Sequence, residues 1–414
     1  MTQSILTHCF SNGLALVAQE MAWLESVAFA ILVPGGCARD PVGKGGLASI
    51  TCEMVQRGCG PRNSRQFVED LEMLGVDVSS SVSNAHASFG GAMPADKIYD
   101  ALSIFADLVR RPHLPAEQLE ESRLACFQEV RAVEDDLAQK VMLELRRRQY
   151  PDPFGRSSQG TVESLSQISM DDVRNHFHTT YAPGGAILSV AGKFHWPRLR
   201  DHVERLFADW QPSQLPVLIE IPPDRSRLHI LHESNQTHIG VAYPSVAYSH
   251  PDYFQARGAV GVLSDGMSSR LFTEVREKRG LCYTVYALSH SLLDRGSVFC
   301  YAGTSTERAQ ETLDVLLAEL NRLARGIESD ELQRLKAQIK SSLIMQQESS
   351  RARSASIAGD WYYLGRVRSL NEIRGIIDGL TCESINAYLA EHPPRDFTIV
   401  TLGEDRLEAP GAVS

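Results

Sequence analysis

The feature that most constrains the fold of this 414-residue sequence is an internal repeat with a period of about half the chain. Three pairs of segments match in the same order. "PAEQLEESRLACFQEV" resembles "ESDELQRLKAQIKSSL", aligning Leu119 with Leu332; "LSQISMDDVRNHF" resembles "IDGLTCESINAYL", aligning Val173 with Ile385; and "AILSVAGKF" resembles "FTIVTLGED", aligning Gly192 with Gly403. The offsets are 213, 212 and 211 residues. Three matches at nearly one offset predict two homologous domains in tandem.

The repeat sets the predicted domains at residues 1–210 and 227–414, joined by a linker at 211–226. The linker region "DWQPSQLPVLIEIPPDRS" is rich in proline and polar residues, as is typical of segments between domains. In each half, alternating apolar residues predict strands first, and amphipathic helices follow. The two strongest helix patterns end at Pro112 and Gly326. This order predicts α+β domains in which helices pack on one face of a mostly antiparallel sheet.

Charge and composition limit the classes of partner and compartment. The net charge of −10 argues against a nucleic-acid partner or an anionic membrane surface, since either favours a basic face. No apolar run approaches the roughly 20 residues of a membrane span, and the N-terminus lacks the pattern of a signal peptide. The eight cysteines show no CxxC spacing, which is typical of reduced thiols. We therefore expect a cytoplasmic protein with neither a nucleic-acid nor a membrane partner.

Two strings in the sequence carry a resemblance to a known family. They are "SDGMSSRLFTEVREKRGLCYTVYA" in the second half and "FGRSSQGTVESLSQISMDDVRNHFHTTYAPGGAILSVAGKF" in the first. Together with the repeat, they resemble the pitrilysin/insulinase family of zinc metallopeptidases over nearly the whole chain. The resemblance is greatest to the short two-domain bacterial members and the mitochondrial processing peptidase subunits. It implies two homologous domains that form half of a clam-shell.

The metal helix of that family carries His-x-x-Glu-His. Its histidines, one helical turn apart, bind one Zn²⁺, its glutamate polarises a bound water, and a glutamate from a later helix completes the ligand set. In "GGLASITCEMVQRG", the flanking Gly-Leu-Ala (46–48) and Met54 fix the register. The motif positions are therefore Ser49, Ile50, Thr51, Cys52 and Glu53. Both histidines and the catalytic glutamate are missing, so the motif is degenerate.

The position of the later glutamate ligand is still a glutamate. Glu129 lies 76 residues after Glu53, at about the family's spacing, and is either a vestigial ligand or a helix residue kept for structural reasons. The neighbouring strand has changed too, because Ser79 stands where the family has asparagine. A site built from Glu53, Glu129 and Cys52 would lack a base to activate water. We therefore expect no metal and no other cofactor in this chain.

The second half keeps the residues that the resemblance places near the substrate. An arginine and a tyrosine of the family's non-zinc domain reach across the cleft, and they match Arg276 in "EVREKRG" and Tyr283 in "GLCYTVY". A guanidinium and a phenol can hydrogen-bond a peptide carbonyl and stabilise an oxyanion. In isolation the pair would more often be a solvated helix residue and a packed strand residue. Ser268 or Ser269, in the preceding loop, is predicted to cap the helix that carries Arg276.

The resemblance leaves three functions open. In two-chain members, one subunit keeps the histidine motif and loses the arginine–tyrosine pair, while the other does the reverse. This chain has the second pattern, which implies a non-catalytic subunit of a heterodimeric zinc metallopeptidase, with the zinc in a homologous partner subunit and an extended peptide as substrate. The alternatives are a peptide-binding or scaffold protein without catalysis and a metallopeptidase with a rearranged site.

Overall fold

The computed structural model describes residues 4–346 and 348–408 of the chain. The strands are β1 (Ile5–Cys9), β2 (Ala15–Glu20), β3 (Ser26–Val33), β4 (Gly58–Cys59), β5 (Arg62–Asn63), β6 (Asp77–Val82), β7 (Ala87–Pro94), β8 (Ile187–Gly192), β9 (Leu228–Leu231), β10 (Gln236–Ser245), β11 (Cys282–Ser291), β12 (Gly296–Ser305) and β13 (Thr398–Gly403). The α-helices are α1 (Leu47–Val55), α2 (Ser64–Met73), α3 (Ile98–Arg110), α4 (Leu119–Asp135), α5 (Leu137–Gln149), α6 (Val162–Ser166), α7 (Met170–Thr180), α8 (Trp196–Phe207), α9 (Tyr253–Ser264), α10 (Ala309–Leu323), α11 (Ser329–Gln346), α12 (Ser350–Leu364), α13 (Leu370–Gly379) and α14 (Cys382–Glu391). A π-helix spans Phe272–Glu277.

The first large sheet belongs to the N-terminal half of the chain. Within the described residues it has six strands in the order β1-β2-β8-β3-β7-β6. β2 and β8 run parallel, and all other neighbours run antiparallel. One face packs against α1, α3 and α8 in a continuous apolar core. In that core the rings of Phe29 and Phe105 meet edge to face at 4.8 Å between centroids.

The second large sheet repeats the first. Its described strands follow the order β11-β12-β10-β13-β9, with β13 and β9 parallel and the other pairs antiparallel. In the order β9-β13-β10-β12-β11, the strands of the second sheet correspond to β2-β8-β3-β7-β6 of the first. Strand β1 is the additional strand of the first sheet. The predicted α+β class with mostly antiparallel sheets is confirmed.

The opposite face of each sheet is also covered by a helix, which the repeat pattern does not predict. Because side chains alternate between the two faces of a strand, Val17 and Ile187 point away from the first core, and they pack against Ile357 of α12. On the second sheet, α5 takes the corresponding place. Gly240 of β10 permits its close approach, since a Cβ there would lie 2.9 Å from the side chain of Val141.

These two helices are exchanged between the halves of the chain. The first compact unit contains the described residues up to Ala132 and those within Arg156–Glu220 and Ile344–Leu370. The second contains those within Val133–Gly155 and Ile221–Leu343 and those from Asn371 onward. Thus α12, from the C-terminal half, lies in the first unit, and α5, from the N-terminal half, lies in the second. The predicted domains, 1–210 and 227–414, were defined by the sequence repeat, whereas these units are defined by compactness. The predicted division is therefore not tested and stays a prediction.

Two features bear on the surroundings of the protein. Over residues 4–346 and 348–408, we find no helix that is both long enough and apolar enough to cross a lipid bilayer. All eight cysteines lie in the described ranges, and each is a free thiol.

Candidate functional site

Helix α1, which carries the degenerate motif, begins at a glycine and is capped by a buried aspartate. Gly46 has φ +88°, a left-handed backbone that favours glycine. The carboxylate of Asp40 accepts hydrogen bonds from the backbone N–H groups of Gly46 and Ala48, each at 2.9 Å. Burial raises the pKa of Asp40 to about 7, although these bonds and the charge of Arg156 act in the opposite direction. The N-terminus of the helix is therefore well fixed.

Ser49, at the position of the first histidine, is used in a structural contact. Its hydroxyl donates to the backbone oxygen of Ser158 at 2.7 Å. Nearby, the hydroxyl of Ser164 donates to the backbone oxygen of Gly45, also at 2.7 Å. These two bonds tie α6 and the loop that precedes it to the start of α1.

Cys52, at the position of the catalytic glutamate, is a buried thiol. Its side chain belongs to the core of the first unit, with 4% of the residue exposed. Burial raises the pKa of the Cys52 thiol far above its ordinary value, and the charge of Glu53 adds to the effect. Burial likewise raises the pKa of neighbouring Cys126 to about 12. The apolar surroundings of both thiols disfavour the thiolate form that a metal ligand takes.

Glu53, at the position of the second histidine, lies near Glu129. Glu53 is half-exposed, and one oxygen of its carboxylate is 4.0 Å from Arg57 Nη2. Glu129 stands on the exposed side of α4, and its pKa is raised by partial burial and by the charge of Glu53. The structure therefore brings together the two acidic residues that the sequence singled out in the first half.

These side chains fit a zinc ion poorly. The serine hydroxyl is already bonded, the thiol lies in the apolar core, and Glu53 has a cation beside it, whereas zinc sites are built from thiolate, imidazole and free carboxylate. Throughout the part of the chain that the structure describes, no group of three or more His, Cys, Asp or Glu side chains is arranged to hold a metal ion. Whether the chain carries a metal in solution stays a prediction.

In the second unit, Arg276 lies on the π-helix. The N–H of Lys278 donates to the oxygen of Thr273 at 2.9 Å, which is the wide turn of this helix type. The guanidinium carbon of Arg276 lies 4.8 Å from the ring centroid of Phe272 and 5.4 Å from that of Tyr283. Among the described residues, the guanidinium makes no hydrogen bond and no ion pair.

Tyr283 lies at a β-bulge. Cys282 pairs with Thr304, but Thr284 pairs with Gly303, so that Tyr283 is the extra residue of β11. Bulges re-aim side chains and are frequent beside active sites. Tyr283 is 84% exposed, which is unusual for a large aromatic residue in a strand. The structure thus brings Arg276 and Tyr283 into contact and leaves both accessible.

A buried ion pair fixes the start of the π-helix segment. Arg270 donates from Nε and Nη2 to the two oxygens of Glu331, each at 2.7 Å, and from Nη2 to the backbone oxygen of Gly326 at 2.9 Å. The predicted serine cap is wrong, because the helix has no side-chain cap and the hydroxyl of Ser269 is buried without a hydrogen-bond partner in the described structure. Residue Ser268, the other predicted cap, makes no such bond either. The bonds of Arg270 anchor this segment to α11 and to the turn before it.

Comparison with known families and solved structures identifies the family to which this architecture belongs. A family model described as "Insulinase (Peptidase family M16)" matches residues 16–160, and one described as "Peptidase M16 inactive domain" matches residues 167–339. Together they cover most of the chain. The chain belongs to peptidase family M16. The predicted pitrilysin/insulinase membership is therefore confirmed.

Curated relatives of this M16 chain resemble it over nearly their whole length. An uncharacterized zinc protease of Bacillus subtilis, YmxG, is 25% identical over 394 residues, which is 94% of this chain and 96% of the relative. An uncharacterized zinc protease of Rickettsia bellii is 24% identical and covers 90% of this chain and 91% of its own length.

Solved structures share the fold of the M16 chain. The peptidase M16 inactive domain from Pseudomonas fluorescens has a TM-score of 0.88 at 22% identity and covers 98% of this chain and 99% of its own. A protease from Helicobacter pylori has a TM-score of 0.90 at 17% identity and covers 97% and 100%. At these identities the likeness shows the fold alone.

Sequence reasoning missed several residues of the M16 site. Asp40 could have been suspected as a helix cap, because it precedes a glycine-rich turn into an apolar helix. The pairing of Arg270 with Glu331 carries no sequence signal, since 61 residues separate the partners. The contact of Phe272 with Arg276 could have been suspected, because residues four apart are neighbours on one face of a helix.

Proposed function

We propose that this chain is the non-catalytic subunit of a heterodimeric zinc metallopeptidase. It supplies peptide-binding and oxyanion-side groups, and a homologous partner subunit supplies the zinc. The observation that carries the proposal is the asymmetry between the two units. Helix α1 lacks the donor set of a zinc site, whereas Arg276 and Tyr283 are in contact with each other and their polar groups have no partner among the described residues.

The arrangement of Arg276 suits a role in binding a peptide near the scissile bond. Its guanidinium lies against two aromatic rings, so that the side chain is positioned while none of its N–H groups bonds to another part of the described structure. Donors fixed before the reaction stabilise developing negative charge without the cost of reorganisation. The phenol of Tyr283 offers a further donor at the same place.

An extended peptide also finds a complementary edge on the first sheet. β6 is the last strand of that sheet, and its outer edge has no partner strand in the described structure. Its residues Asp77 to Ser81 are all exposed, and Ser79 lies in the middle of the strand. An unpaired strand edge can accept an extended chain through backbone hydrogen bonds. This supports an unfolded peptide, not a folded protein, as the substrate.

The proposal is tested by reconstitution. We expect a tagged copy of this chain to copurify with a homologue of similar length that carries His-x-x-Glu-His, and peptidase activity to appear only when both are present. Arg276→Ala should then lower kcat of the mixed enzyme by about 10²- to 10³-fold, as the loss of an oxyanion donor does.

Arg279→Ala is the matched control, because Arg279 is a nearby arginine that is paired with Glu274 at 2.8 Å. It should leave kcat nearly unchanged. Full activity of the Arg276→Ala mixture would contradict the proposal. Stable self-association without activity in any pairing would favour the scaffold alternative, and a stoichiometric metal in the pure chain would favour the rearranged site.

The cytoplasm is the proposed compartment of the pair. It is supported by eight free thiols, six of them buried, which persist most readily in a reducing environment. We propose no nucleic-acid or membrane partner, in line with the net charge of −10.

A further inference from the structure

The surroundings of Arg276 single out a class of ligand. The protein carries a net charge of −10, so a negatively charged ligand is repelled by the molecule as a whole and needs a local cationic feature in order to bind. Arg276 is such a feature, because within the described residues no carboxylate neutralises it.

One candidate for neutralising Arg276 is Glu274 of the same π-helix, and its carboxylate is already paired with other cations. Glu274 accepts from Lys278 at 2.7 Å and from Arg279 at 2.8 Å, and Nη1 of Arg322 lies 3.8 Å from it. Three cations thus share one carboxylate, which is only 14% exposed. Glu274 cannot serve Arg276 without giving up these partners.

The other carboxylate of the π-helix leaves Arg276 free as well. Glu277 follows Arg276 directly and is exposed, and its carboxylate makes no ion pair with the guanidinium in the described structure. Glu319, a further acidic side chain of the cluster, lies 3.5 Å from Arg322 and is mostly buried. Glu274 and Glu319 are therefore paired with other cations, and none of these carboxylates is paired with Arg276 in the described structure.

We infer that the Arg276–Tyr283 surface binds a carboxylate of the peptide. The planar guanidinium takes a carboxylate through two parallel hydrogen bonds, which a single carbonyl oxygen cannot match, and the exposed phenol donates a third. The carboxylate comes from an acidic side chain or from the free C-terminus of the peptide. This inference rests on the proposed function, because it takes the pair as part of the peptide-binding surface.

The test uses the full chain and four fluorescent peptides of one extended sequence. They carry glutamate or glutamine at the centre and end in a free acid or an amide. Fluorescence anisotropy measures Kd at physiological ionic strength. We expect a carboxylate peptide to bind about 10- to 100-fold more tightly than its uncharged twin, as a charge-assisted hydrogen bond should give. Arg276→Gln should abolish this difference.

The arms of the experiment separate the sources of the carboxylate. A preference for central glutamate identifies an acidic side chain, and a preference for the free acid identifies the C-terminus. Arg279→Gln, the control, should change the preference by no more than about fivefold, since it removes an exposed and already paired charge.

The inference is overturned by equal affinities, by a preference that survives Arg276→Gln, or by no binding up to about 1 mM. The proposed function and this inference can fail independently of each other. If Arg276→Ala abolishes activity of the mixed enzyme but no carboxylate preference exists, only this inference fails. If the preference exists but no partner confers activity, the proposed function fails and the carboxylate site stands.

Discussion

Two buried histidines make the first unit sensitive to acid. The side chains of His86 and His176 are each less than 10% exposed, and burial lowers the pKa of both to about 4, with the charge of Arg39 acting in the same direction. Below a pH of about 6.5 these histidines become protonated in the unfolded chain but stay neutral in the folded chain. The stability that these histidines provide is thus complete above that pH and is lost as the pH falls towards 4.

We expect this loss to be about 2 kcal/mol for each histidine by pH 5. The measurement is the urea midpoint of the parent and of the variants His86→Gln and His176→Gln between pH 7.5 and 5. The carboxyl of Asp40, with its raised pKa, contributes with the opposite sign, but it is present in every variant and cancels in the comparison. Parallel curves for parent and variants would rule out the histidine effect.

The residues of the candidate site could largely be identified from the sequence, but their burial and their hydrogen-bond partners could not. The motif register placed Ser49, Cys52 and Glu53 on one helix, as the structure does. It could not tell that Cys52 is in the core or that the Ser49 hydroxyl is bonded to a loop more than 100 residues away. Burial and long-range partners depend on packing, which a local pattern does not encode.

At the scale of the element, α1 keeps the frame of a metal helix. Positions 49 and 53 are one turn apart and partly accessible, and Glu129 is near position 53. We expect the triple variant S49H/C52E/E53H to bind one zinc ion per chain, because it restores two imidazoles facing a carboxylate. Elemental analysis after dialysis gives the metal content. The same variant with Glu129→Gln is the control and should bind much more weakly, and equal zinc in both would mean that Glu129 is no ligand.

The π-helix depends on the buried pair of Arg270 and Glu331. Removing one partner of a buried pair leaves an uncompensated charge, so Arg270→Met should destabilise the local structure by about 3–5 kcal/mol. Hydrogen exchange of the amides in the π-helix and α11 measures the effect. The double variant R270M/E331L, which removes both charges, should recover much of the protection. Exchange rates in Arg270→Met equal to those of the parent would show that the pair does not hold this segment.

Element types were predictable from the sequence where the pattern is regular. The strand and helix order of both halves follows from alternation and amphipathic spacing. The π-helix and the bulge at Tyr283 did not follow, because each changes the backbone by one residue within a regular pattern. The two irregularities fall on the two residues with a predicted role, as expected where function overrides local preference.

At the scale of the whole molecule, the exchange of α5 and α12 decides what can fold alone. A fragment of residues 1–210 lacks α12 and exposes the apolar face around Val17 and Ile187. We expect this fragment, and likewise 227–414 without α5, to be largely unfolded or aggregated by circular dichroism and size-exclusion chromatography. Joining residues 344–370 to the end of 1–226 through a flexible linker should restore a folded first unit. A stable, monomeric fragment 1–210 would contradict this expectation.

The exchange of α5 and α12 also determines when the first unit can be completed during translation. The last strand of the first sheet, β8, ends at Gly192, but the helix that covers its open face ends at Leu364. At ordinary rates of translation this gap corresponds to roughly 10–30 seconds. During that interval a nascent chain carries all six strands of the first sheet but not the helix that covers one of its apolar faces. We therefore expect the first half to become native only after most of the second has been made, and chaperones that bind nascent chains to raise the yield of folded protein.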